Sequence, residues 1–246
     1  TRQTTEAVDL AVNETAGMVL TDKDGELCDA RFSKCCGGVF EEFENCWEPV
    51  HYHYLKATRD SEKPSAFPDL KVEENAKAWI EGAPEAFCNT RDKEILGQVL
   101  NNYDQETTDF YRWTVEYTQD ELGALIKERS GIDYGKILAL EPIHRGTSGR
   151  LVRLRIIGTK RTMTIGKELE IRRTLSTSHL YSSAFVVEVP SRDADGVPES
   201  FRLRGAGWGH GVCLCQSGAA VMGARGYNFR QILEHYYADS SLTKLY

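Results

Sequence analysis

The chain has 246 residues, 41% of them hydrophobic and 27% charged, with a formal net charge of -7. That length accommodates one large domain or two small ones with a core of useful size. The acidic balance lacks the global basic excess of a nucleic-acid-binding domain, and no apolar run approaches the ~18 residues of a membrane span.

A local basic cluster, Arg150, Arg153, Arg155, Lys160 and Arg161, reads as a solvated strand face. The chain opens on Thr1 without a Met or a signal peptide, in "TRQTTEAVDLAV". We therefore expect a fragment or a processed chain, whose export signal can lie upstream. Seven cysteines are present, an odd number, and none forms a CxxC pair of the zinc-ribbon kind.

Thr4 to Glu14 has helical spacing, with Val8, Ala11 and Val12 on one face and Gly17 as a stop. "MVLTDKDGELCDARF" reads as a hairpin around the turn residues Asp22 to Gly25. "SKCCGGVFEEFENCWEP" reads as a loop. "SEKPSAFPDL", with two prolines, is a linker into a helix from Asp69 to Ile80, and a second helix is expected over Thr90 to Leu100.

"FYRWTVEYT" alternates as a strand does. Thr118 to Glu121 is a capping box, whose hydroxyl and carboxylate satisfy amides at a helix start. That helix should end at Ser130, before Gly131. "GKILALEPIHRGTSGRLVRLRIIGTKRTMTIG" gives two or three strands, and "GKELEIRRTL" a short helix. "SAFVVEVP" and "ESFRLRGAG" make a hairpin around "SRDADGVP". Helices from Gln216 to Arg225 and Asn228 to Ala238 follow, then a strand in "SLTKLY". There is no internal repeat. The expected fold class is α+β: a mixed helix/antiparallel-sheet core domain, residues 1–103 and 176–246, interrupted by a smaller α+β insertion, residues 104–175.

The chemistry concentrates in "RGAGWGHGVCLCQSGAAVMGARG", Arg204 to Gly226. Glycines flanking His210 remove Cβ bulk, so a backbone or ligand can approach closely. His210 is an acid/base or hydrogen-bonding candidate, Trp208 a flat apolar surface with one donor, and Gln216 an amide at a helix start. The plainer reading is a glycine-rich hairpin end around a core histidine and a buried tryptophan. A Cys–His nucleophile, Cys213 or Cys215 with His210, needs an accessible thiolate. The small apolar neighbours Val212 and Leu214 favour inert buried thiols instead.

These residues resemble the C-terminal signature of the stage II sporulation protein D / LytB family. Gly207 to Val212, Gln216, Gly218, Ala219, Gly226, Tyr227, Ile232, Leu233 and His235 to Tyr237 fit it. A second stretch agrees through Ser33, Gly37, Gly38, Glu41, Trp47, Tyr54, Leu55 and Asp60, and the resemblance extends over nearly the whole chain. The departures are cysteines. Cys35-Cys36 replaces a Ser-rich turn, Cys213-Leu214-Cys215 replaces Gly-Met-Ser, and Cys46 stands at a core valine.

The resemblance implies an exported protein of the lytic transglycosylase type, acting on peptidoglycan glycan strands in an extracytoplasmic location. In that chemistry one carboxyl group with a raised pKa protonates the leaving oxygen. It then helps the muramyl 6-hydroxyl attack the anomeric carbon, giving a 1,6-anhydro product. Ordinary glycosidases use two carboxyl groups. The family's acid/base Glu lies in a helix upstream of everything matched here, as does a Cys/His segment that binds zinc in some members. This chain is expected to begin after both.

Within the chain, the resemblance gives His210 and Gln216 supporting catalytic roles. It lines the glycan cleft with Ser33, Cys35, Cys36, Gly37, Gly38, Glu41, Trp208, Gly209, Gly211, Cys213 and Cys215. Glu41 and Asp60 otherwise read as loop-capping or solvated acids. The alternative function is a non-catalytic peptidoglycan-binding protein or amidase enhancer, whose partner is a cell-wall amidase. A third reading makes Cys35, Cys36, Cys213 and Cys215 a disulfide or metal site, for which geometry is needed.

Overall fold

The computed structural model describes residues 5–63, 65–100 and 107–246. Helix α1 (Glu6–Glu14) is capped by Thr5, whose side chain accepts from the Val8 amide. Thr4, expected in this helix, lies outside the described residues, as does Pro64 of the proline-rich linker. Strand β1 (Met18–Thr21) is followed by the expected turn, with the Asp22 amide donating to the Glu26 carbonyl at 2.8 Å. The hairpin is not the main pairing, however. The returning chain meets β1 only at a Thr21–Leu27 bridge, while the C-terminal β10 (Ser241–Lys244) pairs with β1 along its length. A Thr21–Thr243 hydroxyl contact of 2.8 Å joins the two strands.

Strand β2 (Phe32–Ser33) pairs in parallel with β9 (Leu214–Cys215). Both are too short to show a period in sequence. Helix α2 (Phe43–Cys46) is a single turn inside the segment read as loop, burying Phe43 and Cys46. Helices α3 (Glu73–Gly82) and α4 (Lys93–Val99) begin later than expected. Asp92 sets the second boundary by accepting from the Glu94 and Ile95 amides.

Strand β3 (Arg112–Thr118) leads through the expected Thr118–Glu121 capping box into α5 (Gln119–Ser130), which stops at Gly131 with φ 72°. Strands β4 (Ile137–Arg145), β5 (Leu151–Gly158) and β6 (Thr162–Ile165) form an antiparallel meander, followed by α6 (Glu168–Thr174). On β5, Leu154 and Ile156 face inward while Arg153 and Arg155 face water. Each such buried aliphatic side chain contributes roughly 1.5–3 kcal/mol. Strands β7 (Phe185–Glu188) and β8 (Ser200–Ala206) form the expected hairpin, and β3 adds to it in the order β3-β8-β7. Helices α7 (Gln216–Ala224) and α8 (Phe229–Tyr236) complete the α+β fold.

Two hydrophobic clusters hold most of the buried apolar residues among those described, beside two small ones. One holds residues from Cys35 to Tyr111 and from Val212 to Tyr237. The other runs from Trp113 to Leu203. The expected insertion end separated β3 from β8, its antiparallel partner from Arg112–Ala206 to Thr118–Ser200. That pairing leaves no local signature. Position 104 itself lies outside the described residues.

Among the described residues no helix is long and apolar enough to cross a membrane. Of the basic cluster, Arg153, Arg155, Lys160 and Arg161 are exposed as expected. Arg150 is 1% exposed, and the solvated reading fails for it.

Candidate functional site

The β2–β9 pairing sets Ser33 beside Cys215 and runs the 32–41 loop along the 208–215 loop. Cys35 and Trp208 exchange main-chain hydrogen bonds of 3.0 and 2.8 Å, and the Glu41 amide donates to the Gly211 carbonyl at 2.9 Å. The loops approach so closely because Gly207 has no side chain. A Cβ there would stand 2.7 Å from the Cys35 carbonyl oxygen and 2.9 Å from the Gly37 amide. Arg150 buttresses both loops from below, through Nε to the Gly209 carbonyl at 3.2 Å and Nη1 to the Cys36 carbonyl at 3.0 Å.

Above this floor lies a groove of about 780 Å³. Five sequence-predicted residues line it: Ser33, Trp208, Gly209, His210 and Gln216. Lys34 and Arg172, which sequence reasoning missed, also line it, and the Arg172 guanidinium is paired with Glu168 at 2.8 Å. Trp208 stacks on Phe110 at 4.9 Å, and Lys34 Nζ lies 4.3 Å from the Trp208 ring centroid. The Ser33 hydroxyl is buried and has no hydrogen-bond partner among the described residues. The described lining contains no carboxylate.

His210 is held as a neutral ring. Burial pushes its pKa down to about 3, with the nearby charges of Arg150, Arg172 and Arg31 adding to the fall. Nδ1 accepts from the Val212 amide at 3.1 Å, which puts the ring proton on Nε2. Trp47 packs edge-on against the ring at 4.7 Å. At neutral pH His210 can orient a hydroxyl but is not an imidazolium acid.

The other expected cleft residues do not reach the groove. Gly37, Gly38 and Gly211 are buried spacers beneath it. Cys46 occupies the first core, as expected. Glu41 is fully buried, so of its two readings the solvated acid fails and the loop-capping acid stands. Its Oε1 accepts from the Glu42 and Thr147 amides and from Asn45 Nδ2. Its Oε2 accepts from the Ser148 amide and hydroxyl. The carboxylate thus ties the 146–149 turn to the first segment, and its lone pairs are occupied.

The cysteines divide in a way the sequence does not show. Cys213 is buried apart from the other paired-motif cysteines, its thiol donating to the Tyr54 carbonyl at 3.6 Å, with φ 52° where the resemblance has glycine. Cys36 and Cys215 instead meet Cys88 and Asp60, and the four ligand atoms lie within 4.8 Å of one another. Asp60 is also fully buried. Its Oδ2 accepts from the Cys88 amide at 3.1 Å, while Oδ1 accepts from the Tyr236 hydroxyl at 3.1 Å and lies 3.3 Å from His235 Nε2. The Cys35 thiol abuts Cys88 and Cys215.

Burial pushes the Cys35, Cys36 and Cys88 thiols well above the ordinary range. Burial acts the same way on Cys215, but hydrogen bonds from the Cys35, Cys36 and Cys88 thiols and from the Cys36 amide hold it well below. Among the described residues all seven cysteines are free. None of the clustered thiols is accessible, and the nucleophile reading of Cys215 loses the exposure it needs. Cys88 belongs to no sequence motif, so only its composition could have flagged it.

A family described as a domain of unknown function (DUF8618) matches residues 41–213. The chain belongs to DUF8618. The matched span takes in Glu41, Asp60, Cys88, Arg150 and the His210 loop, and ends at Cys213, before Cys215. No curated protein matches the chain.

Proposed function

We propose that the groove holds a glycan strand of peptidoglycan, as part of an extracytoplasmic protein of the lytic transglycosylase type. The observation that carries this reading is convergence. Ser33, Trp208, Gly209, His210 and Gln216, drawn from both motif stretches, line one groove. Its volume suits a small-molecule or sugar site. An unpartnered hydroxyl, a side-chain amide and a neutral imidazole match the hydroxyl and amide groups of amino sugars. The Lys34 ammonium matches the carboxylates that muramyl lactyl groups and stem peptides carry.

Cleavage needs an acid/base carboxyl group, and the resemblance places that Glu outside this chain. In this reading His210, fixed by Val212, and Gln216 orient the strand, and proton transfer comes from that Glu. The second reading is glycan binding without cleavage, as in an amidase enhancer acting with a cell-wall amidase.

Co-sedimentation with purified peptidoglycan tests the shared claim. Lys34→Ala and Gln216→Ala should each weaken binding several-fold, by the roughly 1 kcal/mol or more of a lost polar contact. Arg153→Ala, on the exposed strand face, should not. Unaltered binding in both groove variants rejects the glycan reading. Digests with the full-length protein then separate the two functions. Anhydro-muramyl ends support cleavage, and their absence with binding retained supports the enhancer role.

A further inference from the structure

We propose that Cys36, Cys88, Cys215 and Asp60 bind one Zn²⁺ in a closed structural site. The inference is independent of the glycan reading and rests on the geometry of these four side chains. With Zn–S near 2.3 Å and Zn–O near 2.0 Å, a tetrahedral site has S···S edges of about 3.8 Å and S···O edges of about 3.5 Å. Cys36 Sγ lies 3.5 Å from Cys88 Sγ and 3.5 Å from Asp60 Oδ2, and all four ligand atoms fall within 4.8 Å of one another.

Main-chain donors face two of the sulfurs. The Cys36 amide donates to Cys215 Sγ at 3.2 Å, and the Gly38 amide donates to Cys36 Sγ at 3.4 Å. The left-handed backbone of Gly37 (φ 81°) and Gly38 (φ 107°) aims the second donor back at the sulfur. Asp60 offers Oδ2 to the cluster while the Tyr236 hydroxyl and His235 hold Oδ1, the outer support that ligating carboxylates require. A Cβ on Gly218 would stand 2.8 Å from Asp60 Oδ2, so α7 closes the site on that side.

Three thiols and a carboxylate select zinc over magnesium or calcium, which take oxygen donors. Every ligand is at most 2% exposed, so the site is closed and structural. A disulfide within the cluster would consume two of the three sulfurs and abolish the ligand set. Metal binding releases the thiol protons to solvent and involves no electron transfer. Bound zinc joins the 35–38 loop, Asp60, the turn after α3 and the start of α7. It thereby fixes the two loops beneath the groove.

The test is metal analysis of the protein purified under reducing conditions, followed by replacement with Co²⁺ added alone. The expected results are one zinc per chain and, with cobalt, thiolate charge-transfer absorption plus the intense visible bands of a tetrahedral site. Cys213→Ser and Cys35→Ser should keep both signals, while Cys88→Ser and Asp60→Asn should weaken metal affinity at least tenfold. Three results overturn the proposal: wild-type protein with no zinc and no cobalt bands, a mass showing a disulfide within the cluster, or full affinity in Cys88→Ser. Loss of the cobalt bands in Cys35→Ser with their retention in Asp60→Asn rejects Asp60 as the ligand. Because wild-type metal content decides the main claim, a variant that fails to fold leaves the test intact.

Discussion

Arg150 and Glu41 are joined through one hydroxyl: Ser148 Oγ accepts from Arg150 Nη1 at 3.0 Å and donates to Glu41 Oε2 at 2.6 Å. Both charged groups are at most 1% exposed. The bridge connects the first sequence stretch to the loop after β4, and Arg150 then carries the connection to the glycine loop through the Gly209 carbonyl. Buried charges are costly unless hydrogen-bonded and neutralised; Glu41 has five donors, while Arg150 has three acceptors and an Nη2 without a partner among the described residues.

Glu41→Gln should therefore cost stability, not a catalytic step. The new amide would set N–H groups against the Ser148 amide or the Thr147 and Glu42 amides, and Arg150 would lose its counter-charge. A loss of about 2–4 kcal/mol is expected, read by urea unfolding. Where the variant is still folded, glycan binding should match wild type. Unchanged stability with abolished activity would instead make Glu41 a reacting group.

Gly211→Ala should be strongly destabilising. A Cβ there would stand 2.7 Å from Arg150 Nη2 and closer still to Cζ, at φ 78°. The guanidinium is fixed by its three acceptors and cannot yield. Strain and overlap together imply roughly 2–5 kcal/mol. Gly226→Ala is the control, at φ 89° with nothing within 4 Å of the added Cβ. It should cost only the conformational term, about 1 kcal/mol. Equal losses in both variants would remove the packing explanation.

His210 makes stability fall with acid. Its folded pKa of about 3 lies below the unfolded value of 6.5. Between those values the unfolded chain binds the proton and the folded one does not. This contribution is therefore complete above pH 6.5 and is lost as pH drops toward 3, with a slope of at most about 1.4 kcal/mol per pH unit. Unfolding at pH 7 and pH 5 should show a steeper decline for wild type than for His210→Gln. Parallel declines in the two proteins would mean the ring is protonated in the fold. The same depression predicts that activity near neutral pH has no inflection from this histidine.

Ser33→Ala should separate binding from stability. The buried hydroxyl has no hydrogen-bond partner among the described residues, so its removal should leave stability unchanged or raise it by up to about 1 kcal/mol. Glycan affinity should fall by roughly two- to tenfold if the hydroxyl meets a sugar, a net hydrogen bond being worth ~1 kcal/mol. Thermal melts and binding isotherms measure the two quantities. Unaltered affinity would take Ser33 out of the glycan contact.

The sequence by itself determined what is written locally. The Thr118–Glu121 capping box, the Gly131 stop, the β7–β8 hairpin and the meander around Arg153 and Arg155 all follow from spacings within a few residues. The glycines of the His210 loop were legible as close-approach positions, but not what approaches them. Tertiary structure decided that Arg150 is the buried neighbour, that β3 belongs with β8, and that β1 pairs with β10. It also sorted the cysteines. Left-handed backbone at Cys213 turns that thiol to Tyr54, while the parallel β2–β9 pairing carries Cys215 to Cys36. Cys88 and Asp60 reach the same point from other parts of the chain. A ligand set assembled from four distant segments has no fixed spacing to read, because its members are related only through the packed core that brings them together.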